Sequence, residues 1–308
     1  EPGHRLNMPR SRTIHPPATA IRRPAAAIRS RSATPIAILT DFGYHDHYVG
    51  AMKGVIASIA PGAPMIDITH GVPAQSIAAG AVALAQSWRF FPPRTVFLAV
   101  VDPGVGTPRL PIAIETNAGA RFVGPDNGVL SLALEEAGAL RAVELRAADY
   151  RLARISSTFH GRDIFAPAAA HLWRGVRLEA LGLRMRQGLT RLELAEPREG
   201  VAELRGEVLY VDGFGNLVSN IGREALARFK ARFPGMRLSV RIGKGAPMEI
   251  LRAYGDARKG VPLATFGSFD LLEIAVRDGS AARRFAARPG AIVTVRPLRR
   301  TAPHGSSR

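Results

Sequence analysis

Acidic and histidine residues follow several apolar runs in the first half of this 308-residue chain, usually beside Gly and Pro. Asp41 follows the first run, Asp102 follows the third, and His160 opens a His-Gly-Arg-Asp segment. Carboxylates and imidazoles are the groups that accept protons or orient water in hydrolytic sites. Loops that follow parallel strands meet at one edge of a sheet. The pattern therefore predicts one crevice lined by these side chains.

Each segment also has a simpler explanation. Asp-Pro-Gly and the Gly124–Gly128 segment (Gly-Pro-Asp-Asn-Gly) are ordinary turn sequences. Asp46 and Asp163 are possible N-caps of the helices that follow them. A lone histidine near a strand end, such as His70, is more often a partly buried structural residue than a catalyst. Taken singly, these motifs leave a turn and a functional site both open.

Two kinds of element must position these residues. Apolar runs of strand length alternate with segments of helical spacing, which predicts a mostly parallel sheet between helix layers. The predicted elements are strands at Ile36–Thr40, Met65–Thr69 and Thr95–Val101, and helices from about Asp46 to Pro61 and over Ser76–Trp88.

Beyond about Pro197 the pattern changes to short apolar runs separated by Gly-bearing turns, which predicts a smaller antiparallel β-barrel. These runs are Glu207–Val211, Leu217–Ile221, Leu238–Ile242, Leu271–Val276 and Ala291–Val295, with one helix near Arg223–Phe233. We therefore expect an N-terminal α/β domain over residues 35–196 and a C-terminal β-barrel domain over residues 197–298. Residues 1–34 are expected to be a disordered basic tail, and residues 299–308 a second tail.

Composition narrows the function classes. With 46% hydrophobic and 22% charged residues, the usage is that of a globular protein. About ten of the 17 net positive charges lie in the two tails, so nucleic acid binding is not expected. No apolar run is long enough for a membrane span, and the first residues do not resemble a secretory signal. The absence of cysteine excludes disulfides and thiolate metal sites, and it fits a cytoplasmic location.

The motifs taken together, in order, are more specific than any one of them. They are Thr40–Gly43, Tyr48–Gly54, Asp67–His70, Asp102–Thr107, Gly124–Gly128, Ser157–Phe165 and Asp212–Asn216. Over about residues 36–296 the chain resembles the S-adenosylmethionine hydroxide adenosyltransferase family, which is related to fluorinating and chlorinating enzymes. The resemblance implies a three-layer α/β/α N-terminal domain with a mostly parallel sheet and a C-terminal β-barrel. It also implies a homotrimer with active sites at subunit interfaces.

The activity implied by the resemblance is hydrolysis of S-adenosylmethionine to adenosine and methionine, with no metal and no cofactor. The water-handling triad of the family falls on Asp102, Arg109 and His160. The substrate positions that carry over by motif are Asp41 for the ribose hydroxyls, Asp46 and Ser268 for the amino-acid end, Asp212 for the methionine ammonium, and Phe214 and Asn216 for adenine.

Two departures from the family pattern concern the ligand ends. Relatives usually carry Asn-Ser-x-Gly where this chain has Gly267-Ser268-Phe269-Asp270, and Asn is commoner where Arg277 stands. We therefore expect ligand affinity, rather than the type of reaction, to differ from that of relatives.

Three other functions are compatible with parts of the sequence. A halogenase of the same superfamily is disfavoured, because those enzymes replace the triad carboxylate by Tyr and a carboxylate repels halide. A non-catalytic S-adenosylmethionine-binding protein would not need the triad. A metal-dependent phosphoesterase remains an alternative, although no His-x-His spacing supports it; its ligands would be Asp41, Asp46, Asp102, Asp126, His160 and Asp163.

Overall fold

The computed structural model describes residues 34–186 and 188–298. They divide into two compact units, residues 34–192 and residues 193–298. The expected tails lie outside the described residues, except for Thr34, whose carbonyl accepts a 2.5 Å hydrogen bond from Trp173 Nε1. Within the described ranges no helix is long and apolar enough to cross a membrane. The expected domain boundary between residues 196 and 197 stays a prediction.

The first unit is built on a seven-stranded sheet of order β2-β1-β3-β5-β4-β6-β7. Its strands are β1 Ile36–Thr40, β2 Met65–Thr69, β3 Val96–Val100, β4 Pro111–Thr116, β5 Arg121–Pro125, β6 Ala139–Leu145 and β7 Gly182–Arg184. The pairs β1–β2, β1–β3 and β3–β5 are parallel, whereas β4, β6 and β7 extend the sheet with antiparallel pairings. The parallel strands therefore present their carboxyl ends at one edge.

Four α-helices accompany this sheet: α1 Tyr48–Ile59, α2 Ile77–Ser87, α3 Ser131–Ala137 and α4 Ala166–Trp173. Helix α2 begins where its sequence predicts, because the Ser76 hydroxyl accepts a hydrogen bond from Ala79 N, 3.3 Å away. Helix α1 packs against α4, and α2 packs against α3. Each pair of helices buries its apolar face against its partner and the sheet.

The core lies on both faces of the parallel strands. Every residue of β1 and β3 is buried. Ile36 and Ile38, which share one face of β1, pack in one cluster with Met52 and Ile56 of α1. A continuous apolar strand buried on both sides is typical of a central parallel strand. The α/β class expected from the sequence is thus confirmed.

The second unit is an antiparallel sheet of order β12-β11-β15-β9-β10-β14-β13, with β8 paired to β9. Its elements are β8 Arg198–Glu199, β9 Leu204–Val211, β10 Leu217–Gly222, α5 Arg223–Ala231, β11 Arg237–Ile242, β12 Met248–Glu249, β13 Pro262–Phe266, β14 Leu271–Val276, α6 Ala281–Phe285 and β15 Ile292–Leu298. A bridge between Ile250 and Ala264 joins the two ends of the strand order. This closure gives the nearly barrel-shaped sheet that the sequence predicts.

Candidate active site

Asp102 lies just beyond the buried end of β3, in a tight turn. Val105 N donates to the Asp102 carbonyl at 3.2 Å, and Thr107 N donates to the Gly104 carbonyl at 3.1 Å. The strand end is held as well, because Asn127 Nδ2 donates to the Val101 carbonyl at 2.8 Å. The backbone is thus fixed on both sides of the carboxylate.

Arg109 returns from the same loop and forms an ion pair with Asp102. Its Nε lies 2.9 Å from Asp102 Oδ1 and 3.1 Å from Oδ2, and its Nη2 also donates to Oδ2. The side chains of Arg109 and Asp102 are only 9% and 5% exposed. The guanidinium carbon lies 5.3 Å from the centre of the Phe165 ring. This burial and the forked contact hold the guanidinium in one orientation.

His160 completes the group from a distant part of the chain. It precedes a π-helical turn, Gly161–Phe165, and its Nδ1 lies 2.8 Å from Arg109 Nη2. A guanidinium can only donate, so Nδ1 must be the unprotonated nitrogen, and a neutral ring then carries its proton on Nε2. Burial first, and then the charge of Arg109, lower the pKa of His160 below its ordinary 6.5. The imidazole is therefore neutral at physiological pH.

Glycine allows the two loops of this group to touch. Gly106 has a positive φ of 79°, and a Cβ at this position would lie 2.7 Å from the Ser157 carbonyl oxygen. The Ser157 segment is fixed in turn by buried Asp163, whose Oδ2 accepts a hydrogen bond from Ser156 N at 2.7 Å. Any other residue at 106 would push apart the segments that carry Asp102 and His160.

The triad of Asp102, Arg109 and His160 offers one hydrogen-bond donor and one acceptor. Arg109 bridges the carboxylate and the imidazole, so the three side chains hold one another in place. The neutral His160 ring can donate a hydrogen bond from Nε2, and Asp102 Oδ1, with a single contact to Arg109 Nε, retains capacity to accept another. A donor and an acceptor held on rigid loops can orient one water molecule.

Asp41 and Asp46 lie in the segment between β1 and α1. Asp41 Oδ2 accepts a 2.7 Å hydrogen bond from Gln75 N, and no contact of Asp41 Oδ1 is found among the described residues. Asp46 is exposed. The N-cap of α1 is His47, with no side-chain cap. The alternative that Asp46 caps this helix is therefore wrong.

Asp212, Phe214 and Asn216 belong to the second unit, in the turn between β9 and β10. Asp212 Oδ1 accepts hydrogen bonds from Phe214 N at 2.9 Å and Asn216 N at 2.8 Å, and Oδ2 accepts one from Asn216 Nδ2 at 2.9 Å. Asn216 is buried, whereas Phe214 is 83% exposed. The loop is thus a self-bonded hairpin turn that presents a phenyl ring to solvent.

Ser268 is exposed, in a turn whose sequence departs from that of relatives. A Cβ at Gly267 would lie 1.7 Å from Glu273 Oε1, so an Asn here would require the Glu273 carboxylate to move. Asp270 has a positive φ of 58°, a conformation that Asp tolerates better than most residues. Its Oδ1 also accepts a 2.6 Å hydrogen bond from Arg223 Nε.

The second departure, Arg277, has backbone partners. Its Nη1 donates to the carbonyls of Gly255 and Ala257, at 2.9 and 2.6 Å. Arg277 therefore holds the segment between β12 and β13 in place.

The carboxylates of the alternative metal site do not converge. No group of three or more His, Asp or Glu side chains able to hold a metal ion occurs in residues 34–186 and 188–298. Arg109 takes up both Asp102 oxygens and His160 Nδ1. A fixed positive charge between two would-be ligands opposes a cation there. Asp163 is not an N-cap either, because it lies within the π-helical turn.

Asn127 is a supporting residue to which the sequence assigned no role. Its Nδ2 holds the Val101 carbonyl, and its Oδ1 accepts a 3.1 Å hydrogen bond from Val129 N. The only signal in the sequence is an Asn in a turn that follows a buried strand. Such a turn is common, so the contact across to the neighbouring strand could not be inferred.

Comparisons with known proteins cover most of the chain. Residues 36–182 match the SAM hydroxide adenosyltransferase N-terminal domain, and residues 206–294 match the C-terminal domain of the same name. A Thermus thermophilus (R)-S-adenosyl-L-methionine hydrolase is 39% identical, over 83% of this chain and 97% of that protein. A Nocardia brasiliensis fluorinase is 28% identical, over 85% and 96%. The crystal structure of an uncharacterized conserved protein from Thermotoga maritima is 38% identical, with a TM-score of 0.77 over 84% and 99%.

Proposed function

The chain belongs to the SAM hydroxide adenosyltransferase family, and we propose that it hydrolyses S-adenosylmethionine to adenosine and methionine. The observation that carries this proposal is the contact of Arg109 with both Asp102 and His160. A hydrolase is the function named for the relatives that are about 40% identical.

The reaction is a displacement at the ribose 5′ carbon. The oxygen of water forms a bond to that carbon, and the electron pair of the carbon–sulfur bond moves to sulfur. Methionine leaves as a neutral thioether, so nothing on the leaving side needs a proton. The protonated hydroxyl group formed by attack is strongly acidic, and it loses one proton to give adenosine. The enzyme has to hold water in line with sulfur and receive that proton.

The triad suits both tasks. His160 Nε2–H orients the water by donating to its oxygen, because Nδ1 is already engaged by Arg109. Arg109 has no basic site, which leaves Asp102 as the group that receives the proton. Arg109 stabilises the buried carboxylate while the substrate is bound, and it keeps the two partners at a fixed separation.

The substrate positions form the second part of the proposal. We assign Asp41 to the ribose hydroxyls, and its Oδ1, which has no partner within residues 34–186 and 188–298, supports this role. The exposed ring of Phe214 stacks on adenine. Asp212 faces the methionine ammonium with the remaining capacity of Oδ2. The other assignments are Asn216 to the adenine edge, and Asp46 and Ser268 to the amino-acid end.

We also propose a homotrimer with active sites at subunit interfaces, as the family resemblance implies. Light scattering after size-exclusion chromatography tests the trimer, and a monomeric mass would contradict it. The cytoplasmic location is likewise a proposal, which cell fractionation tests.

Chromatography of products tests the function directly. Purified protein incubated with S-adenosylmethionine and EDTA should release adenosine and methionine in equal amounts. An Asp102→Ala variant with an unchanged melting temperature serves as the control and should release almost none. Tight binding without adenosine release would indicate a binding protein. Activity lost with EDTA and restored by a metal would indicate the metal-dependent alternative.

A further inference from the structure

A network of four polar side chains that the proposed reaction does not use lies at the ends of β1 and β2. Lys53 Nζ, from α1, donates to Asp67 Oδ2 at 2.7 Å. Asp67 Oδ1 lies 3.2 Å from His70 Nε2. His70 Nδ1 lies 2.8 Å from Thr40 Oγ1. Thr40 and His70 are completely buried, so the polar network extends from the surface of α1 into the core.

The protons of the polar network have one consistent arrangement around the Thr40 hydroxyl. Burial is the largest effect on the pKa of His70 and lowers it, so the ring is neutral. Burial alone would raise the pKa of Asp67, but the contacts with Lys53 and His70 outweigh it, and the carboxyl is ionised. His70 Nε2 and Asp67 Oδ1 lie within ion-pair distance but find no hydrogen-bond partner among the described residues. A neutral ring protonated on Nε2 has Nδ1 free to accept the Thr40 hydroxyl proton. The Thr40 hydroxyl then accepts from Phe42 N and donates to His70 Nδ1.

The polar network ends at the turn that carries Asp41. Thr40 Oγ1 accepts a 3.2 Å hydrogen bond from Phe42 N, and Gly43 N donates to the His70 carbonyl at 2.8 Å. The backbone on both sides of Asp41 is therefore tied to His70, once through a side chain and once through its main chain. Among the described residues, Gln75 N alone contacts the Asp41 carboxylate itself.

A purely structural role would not require this chemistry. Apolar side chains of similar volume fill buried strand ends without the cost of desolvating an imidazole and a hydroxyl. Hydrogen bonds differ from apolar packing in fixing direction, and direction is what a carboxylate needs to accept two hydroxyls of a vicinal diol.

We propose that His70 is a positioning residue that, through Thr40, sets the orientation of the Asp41 carboxylate towards the ribose hydroxyls. This inference rests on the ribose contact assigned to Asp41 under the proposed function. It adds that recognition of the sugar depends on a buried group that does not itself touch the substrate.

The test is discrimination between adenosine and 2′,3′-dideoxyadenosine, measured by calorimetric titration with saturating methionine. Full-length wild-type protein should prefer adenosine by about 10- to 100-fold, because a charged acceptor left without its hydroxyls is penalised. Thr40→Val and His70→Leu should lower that preference by about fivefold or more, since a misaligned acceptor loses most of its hydrogen-bond energy.

Thr95→Val is the matched control. Thr95 is a completely buried threonine whose hydroxyl donates to the Pro92 carbonyl at 2.7 Å, just before β3 rather than after it. It should lose stability as Thr40→Val does and keep the wild-type preference. Asp41→Asn should abolish the preference.

Two outcomes would overturn the inference. The preference for adenosine could survive in Thr40→Val and His70→Leu while Asp41→Asn removes it. The polar network would then have only a structural role. The preference could also survive in Asp41→Asn, which would remove the ribose contact and the positioning role together. Adenosine release from S-adenosylmethionine is measured on the same samples. Its absence, with the expected preferences, would refute hydrolysis and leave the positioning role standing.

Discussion

The variant Arg109→Lys tests the forked geometry of the guanidinium separately from its positive charge. Lysine keeps the positive charge beside Asp102, but a single ammonium cannot reproduce a bidentate contact with the carboxylate and also reach His160 Nδ1. The contact most easily lost is the 2.8 Å bond to His160, which fixes the orientation of the ring and the position of its proton. The variant therefore isolates the bridging role of the arginine.

The expected loss follows from that one bond. A hydrogen bond to a charged donor contributes about 1.5–3 kcal/mol. Since about 1.36 kcal/mol corresponds to a tenfold change, kcat should fall about 10- to 150-fold. KM for S-adenosylmethionine should change little, because Arg109 is assigned no contact with the substrate. Initial rates of adenosine release, with thermal unfolding measured in parallel, give both quantities.

Arg89→Lys is the matched control. Arg89 Nη2 contacts both carboxylate oxygens of Glu136, at 2.8 and 2.7 Å, in the same unit but before β3. This variant should keep wild-type kcat. The reasoning fails if kcat of Arg109→Lys stays close to that of wild type, or if Arg89→Lys loses as much.

Three further predictions concern the same loops. Asp102→Asn should lower kcat by about 100-fold or more with little change in substrate affinity, and equal losses in both would indicate a binding role. Burial lowers the pKa of His160, so the acid limb of a kcat–pH profile should lie below pH 6.5; a midpoint above 6.5 would contradict the neutral ring. As pH falls below 6.5 the unfolded chain binds this proton first, so stability should fall as well. Gly106→Ala should lower kcat through the Ser157 contact, whereas Gly175→Ala, at a positive φ of 95° with open space around it, should affect stability alone.

Much of the fold is encoded locally. The strands predicted at Ile36–Thr40, Met65–Thr69 and Leu271–Val276 coincide with β1, β2 and β14. Short, mainly apolar runs of this length, bounded by turn residues, have few alternatives to a strand. The antiparallel edge formed by β4, β6 and β7 was not predicted. Strand partners far apart in the sequence leave no local signal, so composition could not reveal that edge.

The family resemblance assigned Asp102, Arg109 and His160 to one group, and their side chains lie in contact, while their catalytic roles stay a prediction. Nothing in the sequence indicated which nitrogen of His160 faces the guanidinium. That depends on burial and on a contact across 51 residues of chain. The network of Lys53, Asp67, His70 and Thr40 was not predictable for the same reason, since each of these residues alone resembles an ordinary surface or core residue.

The most direct measurement follows the oxygen atom from water into product. Turnover of S-adenosylmethionine in H₂¹⁸O, analysed by mass spectrometry, should place one heavy oxygen in each adenosine and none in methionine. That result is what attack on the ribose 5′ carbon by a water held at the triad requires. Unlabelled adenosine, or label in the methionine-derived product, would contradict it.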